Sequence, residues 1–230
     1  MNILAFDTST DILNIALKTE KQFFSTTHSI GRKFSEELVL RLKNALKEVD
    51  LEFKDLSLIV VAKGPGSFTG LRVGMAVAKG LSSASNIPLV SLSTTEIYAY
   101  PLKLAQNAIL PLIDAKKKRF YTALFKEGER LSGDKDLTVE QIGDLIANLD
   151  AVILTGSDAK VAYPFLCDEV TSRNLSTKIL LDNLSYRDYG LSMIKLGKKL
   201  FEEQGADEIT SGPTYVRKSD AELSLEYNKQ

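Results

Sequence analysis

The stretch Lys63–Gly80, KGPGSFTGLRVGMAVAKG, constrains the fold of this chain more than any other part of the sequence. It places four glycines, Gly64, Gly66, Gly70 and Gly74, within eleven residues. Glycine costs a helix or strand roughly 0.5–1 kcal/mol relative to alanine, so such a cluster indicates a tight turn or a close backbone approach. The β-branched run before the glycines and the helical spacing after them predict a strand over 56–64 and a helix over 69–85.

A glycine-rich turn between a strand and a helix can bind an anion through its backbone N–H groups. A Walker A loop needs Lys and then Ser or Thr after its second glycine, whereas Leu71 and Arg72 follow Gly70. The dinucleotide fingerprint also fails, because three residues instead of two separate Gly66 from Gly70. We therefore expect a structural turn, or the remnant of a phosphate site, in the glycine loop, which comprises Gly64, Pro65, Gly66, Ser67 and Thr69.

Ser67 is the candidate nucleophile of this loop, but the surrounding pattern does not support that role. A nucleophile elbow needs glycine two residues before the serine, and Pro65 occupies that position. A catalytic serine also needs a base, and the single histidine, His28, ends a predicted strand. Ser67 and Thr69 are therefore predicted to cap the helix that follows them.

The inventory of metal-binding side chains is small. One histidine and one cysteine, Cys167, cannot form a zinc site without several carboxylates, and they exclude an intrachain disulfide. A magnesium ion near Asp7 and Asp114 would need substrate phosphates to complete its ligands. The sequence therefore predicts neither a metal site nor a cofactor.

Composition and charge indicate a soluble protein that does not bind nucleic acid by itself. The formal net charge is −1 and the pI is about 6.0, without the basic excess that phosphate neutralisation requires. The run Lys116–Arg119, KKKR, reads as a solvated turn or as a local patch in a site completed by another protein. The short apolar start, residues 1–6, lacks a basic flank, and no apolar segment approaches membrane length, so a cytoplasmic protein is expected.

The predicted helix after the glycine loop is apolar nearly all round, which indicates burial on more than one side. Gly70, Gly74 and Ala78 recur at i, i+4 and i+8 and form a stripe of small residues. Such a stripe lets another backbone approach, either from this chain or from a partner, and the spacing alone favours neither.

The pattern of elements repeats after residue 106. NAILPLID ends at Asp114 as NILAFD ends at Asp7, and both are followed by an alternating strand, a helix and a buried strand. This repetition favours an internal duplication, and hence an α/β protein with a lobe over 1–103 and a second lobe over 104–230.

Taken together, these motifs resemble the TsaB (YeaZ) family, which serves the synthesis of threonylcarbamoyladenosine in bacterial tRNA. The resemblance is carried by ILAFDTST, by GPGSFTGLRVGMAVAKGL, by PLVSLSTTE, by LIDAKKKRFYTALF and by PTYVRK. It spans most of the chain, and the glycine-loop segment is the most specific part.

The resemblance implies the fold of actin, sugar kinases and Hsp70 ATPase domains, with two lobes of duplicated topology and mixed sheets flanked by helices. It also implies a subunit without catalysis of its own, which pairs with itself or with the transferase TsaD through first-lobe helices. The ATPase TsaE joins this pair, and the subunit contacts tRNA only through the complex. The implied interface comprises Leu38, Val39, Leu42, Gly70, Leu71, Gly74 and Ala78, and the candidate polar contacts are Asp7, Arg72, Asp114 and Lys116. A small-molecule kinase or ATPase of the same fold is the alternative.

Overall fold

The computed structural model describes residues 1–29, 31, 34–184, 187–208 and 210–217, with the side chains of residues 34 and 35 excepted. The strands of this part are β1 (Ile3–Asp7), β2 (Ile12–Lys18), β3 (Phe23–Ser29), β4 (Leu58–Gly64), β5 (Leu89–Ser93), β6 (Ala108–Pro111), β7 (Ile113–Asp114), β8 (Arg119–Thr122), β9 (Phe125–Lys126), β10 (Glu129–Arg130), β11 (Lys135–Thr138), β12 (Ala151–Thr155) and β13 (Lys178–Leu181). Its α-helices are α1 (Phe34–Lys47), α2 (Phe68–Ser85), α3 (Thr94–Ala99), α4 (Val139–Ile146), α5 (Ala159–Ser172) and α6 (Gly190–Gln204).

The first lobe is built on a five-stranded mixed sheet with the strand order β3-β2-β1-β4-β5. Strands β1, β2 and β3 form an antiparallel meander, and β4 and β5 run parallel to β1. In this register Asp7, the last residue of β1, lies opposite Asn14. The carboxyl ends of β1, β4 and β5 therefore share one edge of the sheet, and the glycine loop leaves from that edge.

The second lobe repeats this order with interrupted strands. One of its sheets has the order β10-β9-β6-β12-β13 and the other has the order β11-β8-β7. Here β6 and β7 together correspond to β1, β8 and β9 to β2, and the parallel strands β12 and β13 to β4 and β5. The predicted duplication and the α/β fold with mixed sheets and flanking helices are confirmed.

The first sheet is covered by helices on both faces. Leu4 and Phe6 of β1 belong to a core completed by α1 and α2, whereas Ala5 and Val60 belong to a core completed by α6. Helix α6 approaches very closely, because a Cβ built on Gly197 would lie 2.4 Å from a methyl group of Val60. The last helix therefore packs on the sheet of the first lobe.

A cluster of polar side chains joins the two lobes. Arg130 of β10 donates from Nη2 to the hydroxyls of Ser93 (2.7 Å) and Thr95 (3.0 Å). Its Nη1 donates to Asp134 at 3.1 Å, and the same carboxylate accepts from Ser93. Because Ser93 ends β5 and Thr95 lies in the first turn of α3, these bonds tie the edge of the first sheet to the second lobe.

The structure corrects the sequence-based assignment of elements in the second lobe. The sequence pattern did not predict helix α5 or strand β13. For α5 the reason is Pro164 inside the helix, because proline removes a helical hydrogen bond. The last helix, α6, begins at Gly190. Among the described residues no helix is both long and apolar enough to cross a membrane.

Candidate functional site

The glycine loop packs directly against the turn that follows β1. A Cβ on Gly66 would lie 2.2 Å from the carbonyl oxygen of Ser9, and one on Gly70 would lie 2.0 Å from that of Thr8. The Ser67 N–H donates to the Ser9 carbonyl at 2.6 Å, and the Thr8 hydroxyl donates to the Gly70 carbonyl at 2.8 Å. These glycines are required because the chain's own backbone fills the space that a side chain would need.

Gly64 meets a third segment of the chain at the start of the loop. Its φ of +111° lies in a region that L side chains rarely adopt, and a Cβ there would lie 2.7 Å from the carbonyl oxygen of Thr214. The loop is thus enclosed by the β1–β2 turn on one side and by the C-terminal segment around Thr214 on the other. The Ser67 N–H already donates to a carbonyl oxygen within the protein. This geometry favours the structural role of the loop over a phosphate cradle.

Ser67 caps helix α2, as predicted. Its side chain accepts a bond of 3.4 Å from the Gly70 N–H and remains exposed. Thr69 lies inside α2, so the prediction that it also caps the helix is wrong.

The ring nitrogens of His28 are engaged by Thr26 and Arg41, and burial, followed by the Arg41 charge, lowers the pKa of His28.

Asp7 is enclosed at the carboxyl end of β1. The side chain is fully buried, its Oδ1 accepts from the Ser9 N–H at 2.7 Å, and its Oδ2 accepts from the Tyr98 hydroxyl at 3.4 Å. Burial raises the pKa of Asp7 above its ordinary value, against the lowering effect of the Ser9 bonds. Asp7 therefore contacts its own lobe rather than an open surface, which corrects its assignment as a candidate for external polar contacts.

Asp114 occupies the equivalent position in the second lobe but stays accessible. Its Oδ2 forms an ion pair of 2.6 Å with the Lys116 ammonium, and its Oδ1 accepts from the Lys116 N–H. Hydrogen bonding to Asp114 is the main cause that raises the pKa of Lys116. The Asp114 N–H donates to Asp158, which follows β12.

The basic run after Asp114 forms a left-handed turn. Lys116, Lys117 and Lys118 have φ values of 67°, 56° and 57°, a region that costs L residues roughly 1–2 kcal/mol each. Arg119 points away from this turn, because it donates to the carboxylate and the carbonyl of Asp136. The four cations that are adjacent in sequence therefore do not form a single patch.

Arg72 lies at the exposed beginning of α2 and contacts the C-terminal segment. Its Nε donates to the Tyr215 hydroxyl at 3.0 Å, and the ring of Tyr215 stacks on that of Phe68 with centroids 4.2 Å apart. Arg72 was a sequence-predicted candidate, but Tyr215 and Phe68 were not. The PTYVRK motif was the only feature of the sequence that could have indicated Tyr215, and its Lys218 lies outside the described residues.

Most residues of the predicted interface are buried within this chain, and Val39 alone is exposed, with 50% of its surface accessible. A Cβ on Gly74 would lie 2.2 Å from the Thr8 hydroxyl, so the stripe of small residues faces the β1–β2 turn. The expectation that this stripe admits a partner's helix is corrected, because it admits the chain's own backbone. The buried members are Leu38, Leu42, Gly70, Leu71, Gly74 and Ala78.

The opposite face of α2 carries a second row of small residues, which sequence reasoning missed. Ala76, Gly80 and Ala84 recur at i, i+4 and i+8 and are exposed, and a Cβ on Gly80 would meet nothing within 4 Å. The half-buried side chains Val73, Val77 and Leu81 border this row. Val39 and Leu40 of α1, the latter 60% exposed, add apolar area on the neighbouring helix. We call the exposed faces of these two helices the α1–α2 surface.

Within the described part of the chain, no group of three or more His, Cys, Asp or Glu side chains could hold a metal ion.

The two-lobed duplicated topology defines an α/β protein of the actin-like ATPase fold class.

Comparison with known proteins gives the family. Residues 26–172 match a family model described as TsaD, tRNA N6-adenosine threonylcarbamoyltransferase. The tRNA threonylcarbamoyladenosine biosynthesis protein TsaB of Bacillus subtilis is 31% identical over 229 residues, with 96% of each chain covered. TsaB of Escherichia coli is 28% identical over 131 residues, which cover 56% of this chain and 57% of that one.

A solved structure of YeaZ from Pseudomonas aeruginosa superposes with a TM-score of 0.71 at 22% identity, over 93% of this chain and 99% of that one. The chain belongs to the TsaB (YeaZ) family and has a role in the biosynthesis of threonylcarbamoyladenosine in tRNA.

Proposed function

We propose that this chain is a non-catalytic scaffold subunit of the cytoplasmic complex that transfers a threonylcarbamoyl group to the adenosine beside the tRNA anticodon. It pairs with a TsaD transferase subunit, the ATPase TsaE joins the pair, and tRNA is met only through the complex. The observation that carries this proposal is the α1–α2 surface, which offers an apolar, small-residue helix face.

The α1–α2 surface has the features of a helix-packing interface. The small residues at Ala76 and Gly80 leave a shallow groove, and the neighbouring Val73 and Val77 form its wall. A partner helix can lay its ridge of side chains in such a groove at the close interaxial distances of helix packing. Exposed apolar area concentrated on neighbouring helices is also typical of protein–protein interfaces.

The groups that would perform phosphate chemistry in a kinase are committed to packing in this chain. Asp7 is buried beneath the β1–β2 turn, and in the glycine loop the Ser67 N–H donates a hydrogen bond to the Ser9 carbonyl. This arrangement supports the scaffold function over the kinase or ATPase alternative.

The match to the TsaD family model supports the choice of partner. Because that model covers α1 and α2 of this chain, a TsaD subunit contributes the corresponding pair of helices. Two subunits of one fold can then pair through the same helices about an approximate two-fold axis, as in an isologous dimer. A homodimer of this chain is the competing arrangement of the same surface.

The test is to mix this chain with the TsaD subunit of the same genome and to measure complex formation by size-exclusion chromatography with light scattering. Gly80→Gln and Ala76→Arg place long side chains in the groove, and we expect both to abolish the complex. Gly133→Gln is the matched control, because Gly133 is an exposed glycine of the second lobe with open space around it. Circular dichroism checks that all three variants keep the parent's fold.

A stable complex that survives both groove variants would show that the partner binds elsewhere. No complex of the parent at micromolar concentration, or turnover of Mg-ATP by the isolated chain, would contradict the scaffold function itself.

A further inference from the structure

The beginning of α2 carries an ordered aromatic and cationic cluster that the scaffold function alone does not explain. We call Phe68, Arg72 and Tyr215 the Arg72 cluster. The rings of Phe68 and Tyr215 are nearly parallel, with an interplanar angle of 5°, and the guanidinium of Arg72 lies 5.0 Å from the Phe68 centroid and 5.7 Å from that of Tyr215. Two distant parts of the chain, 143 residues apart, thus meet in one ordered cluster.

The segment that delivers Tyr215 is held independently of this stack. The Thr214 N–H donates to the Lys63 carbonyl at 2.7 Å, immediately before the glycine loop. On the other side, Arg217 donates to the carbonyl of Ala115 in the second lobe at 3.4 Å. Because these bonds do not involve the Tyr215 side chain, its replacement leaves the path of the segment anchored.

The Arg72 cluster is exposed even though it is ordered. Tyr215 keeps 40% of its surface accessible, and Arg72 is also exposed. Only the Nε of Arg72 is used, since among the described residues no hydrogen bond or ion pair engages its two terminal amino groups. Within the described part of the chain those groups are available to a carboxylate, which Arg binds through two parallel bonds.

The cluster also continues the groove of the α1–α2 surface. Phe68, Arg72, Ala76 and Gly80 follow one another at intervals of four residues, which is the spacing of a single ridge along a helix. A partner helix that lies over Ala76 and Gly80 therefore runs past Arg72 and Tyr215.

We propose that the Arg72 cluster is the main energetic anchor of the α1–α2 surface, and that it binds a carboxylate side chain on the docking helix of the TsaD subunit. This inference rests on the proposed function. Tyr and Arg are the residues most enriched among those that dominate interface energies. Stacking on Phe68 holds Tyr215, and the bond from Nε to the Tyr215 hydroxyl holds Arg72 before the partner arrives, so little side-chain freedom is lost on binding.

The test is the affinity of this chain for the TsaD subunit of the same genome, measured by biolayer interferometry at low and high salt. Arg72→Lys keeps the charge but loses the paired bonds, and Tyr215→Ala removes both the ring and the hydroxyl that contact the guanidinium. We expect each to weaken binding by at least about tenfold, as for a dominant interface residue. Tyr215→Phe keeps the stack and removes only the neutral hydroxyl that accepts from Arg72, so we expect a smaller loss, within about threefold of the parent.

The matched control is Lys160→Ala, which removes an exposed cation from α5 of the second lobe and should leave the affinity unchanged. Thermal unfolding of every variant separates lost binding from lost folding. Where a variant unfolds at a lower temperature than the parent, the affinity of Arg72→Gln is measured in its place. Binding of Arg72→Lys and Tyr215→Ala within twofold of the parent, while Gly80→Gln abolishes it, would overturn this inference and leave the proposed function standing. If the parent itself does not bind, both proposals fail.

Discussion

The two faces of helix α2 use small residues for opposite purposes. On the inner face, Gly70 and Gly74 bring the helix so close to Thr8 that a Cβ at either position would overlap its atoms. On the outer face, Ala76 and Gly80 are exposed, and a Cβ on Gly80 would have open space around it. The same residue type at the same spacing therefore serves intrachain packing on one side and leaves a groove on the other.

The equivalent turn of the second lobe is packed less tightly, because a Cβ on Gly156 would lie 2.9 Å from the nearest backbone atom, the carbonyl oxygen of Leu112. Asp114 stands where the duplication places the equivalent of Asp7, yet it is paired with an exposed lysine instead of being buried. The helix after β12 begins with Ala159 and Lys160 rather than with closely packed glycines. A shared topology thus fixes where the turns lie, and the local side chains decide whether a turn is closed or open.

The largest expected effect separates the two faces of α2 by stability. Gly74→Leu forces a side chain into the Thr8 hydroxyl, which itself bonds the Gly70 carbonyl. We expect the free energy of unfolding to fall by about 3 kcal/mol, the upper end of the usual cost of overpacking. Chemical denaturation, followed by circular dichroism, measures it.

Gly80→Leu is the control on the outer face of the same helix. Because it meets no atoms of this chain and removes a helix-interior glycine, we expect it to be neutral or to stabilise the fold by up to about 1 kcal/mol. Equal losses of stability in the two variants would remove the distinction between the faces.

A smaller effect concerns Asp7, whose enclosure is what distinguishes the first lobe from the second. Burial raises the pKa of Asp7 in the folded state. At pH values between the unfolded-state pKa and the folded-state pKa, the folded protein therefore retains a proton that the unfolded chain has released. The contribution of Asp7 to stability therefore declines as the pH rises from about 4, the ordinary aspartate value, through the folded-state pKa. Asp7→Asn removes this decline while it keeps an acceptor for the Ser9 N–H.

The measurement is the difference in unfolding free energy between Asp7→Asn and the parent, from pH 4 to pH 8. We expect this difference to shift in favour of the variant as the pH rises. Asp50→Asn is the control, because Asp50 is exposed and its φ of 54° suits asparagine. A difference for Asp7→Asn that does not change between pH 4 and pH 8 would contradict the enclosed state of Asp7.

The sequence predicted the first lobe well because its signals are local. The glycine loop lies between a β-branched strand and an apolar helix, and these three elements formed within a few residues of the predicted bounds. Periodicity showed that α2 is buried on several sides, but it could not tell which small residues face Thr8. That assignment depends on the position of the β1–β2 turn, which is about 60 residues away in sequence.

The Arg72 cluster marks the limit of sequence reasoning more clearly. Arg72 was selected as a polar candidate, but its contact with Tyr215 joins residues 143 apart and follows no local period. Helix α5 was missed for a different reason, because Pro164 interrupts an otherwise helical pattern that tertiary packing nevertheless maintains.

The smallest expected effect tests whether the glycine loop supports structure rather than chemistry. Ser67 contributes one long cap bond to Gly70, and its side chain is exposed. Ser67→Ala should therefore cost about 0.5–1 kcal/mol, the lower part of the range for lost helix caps, and should leave modification of tRNA by the reconstituted complex unchanged. Thermal unfolding measures the first quantity, and threonylcarbamoyladenosine formation in tRNA measures the second. If modification were lost while the fold and the pairing with TsaD persisted, the loop would take part in chemistry, and the contrast between the enclosed Asp7 and the accessible Asp114 would need another explanation.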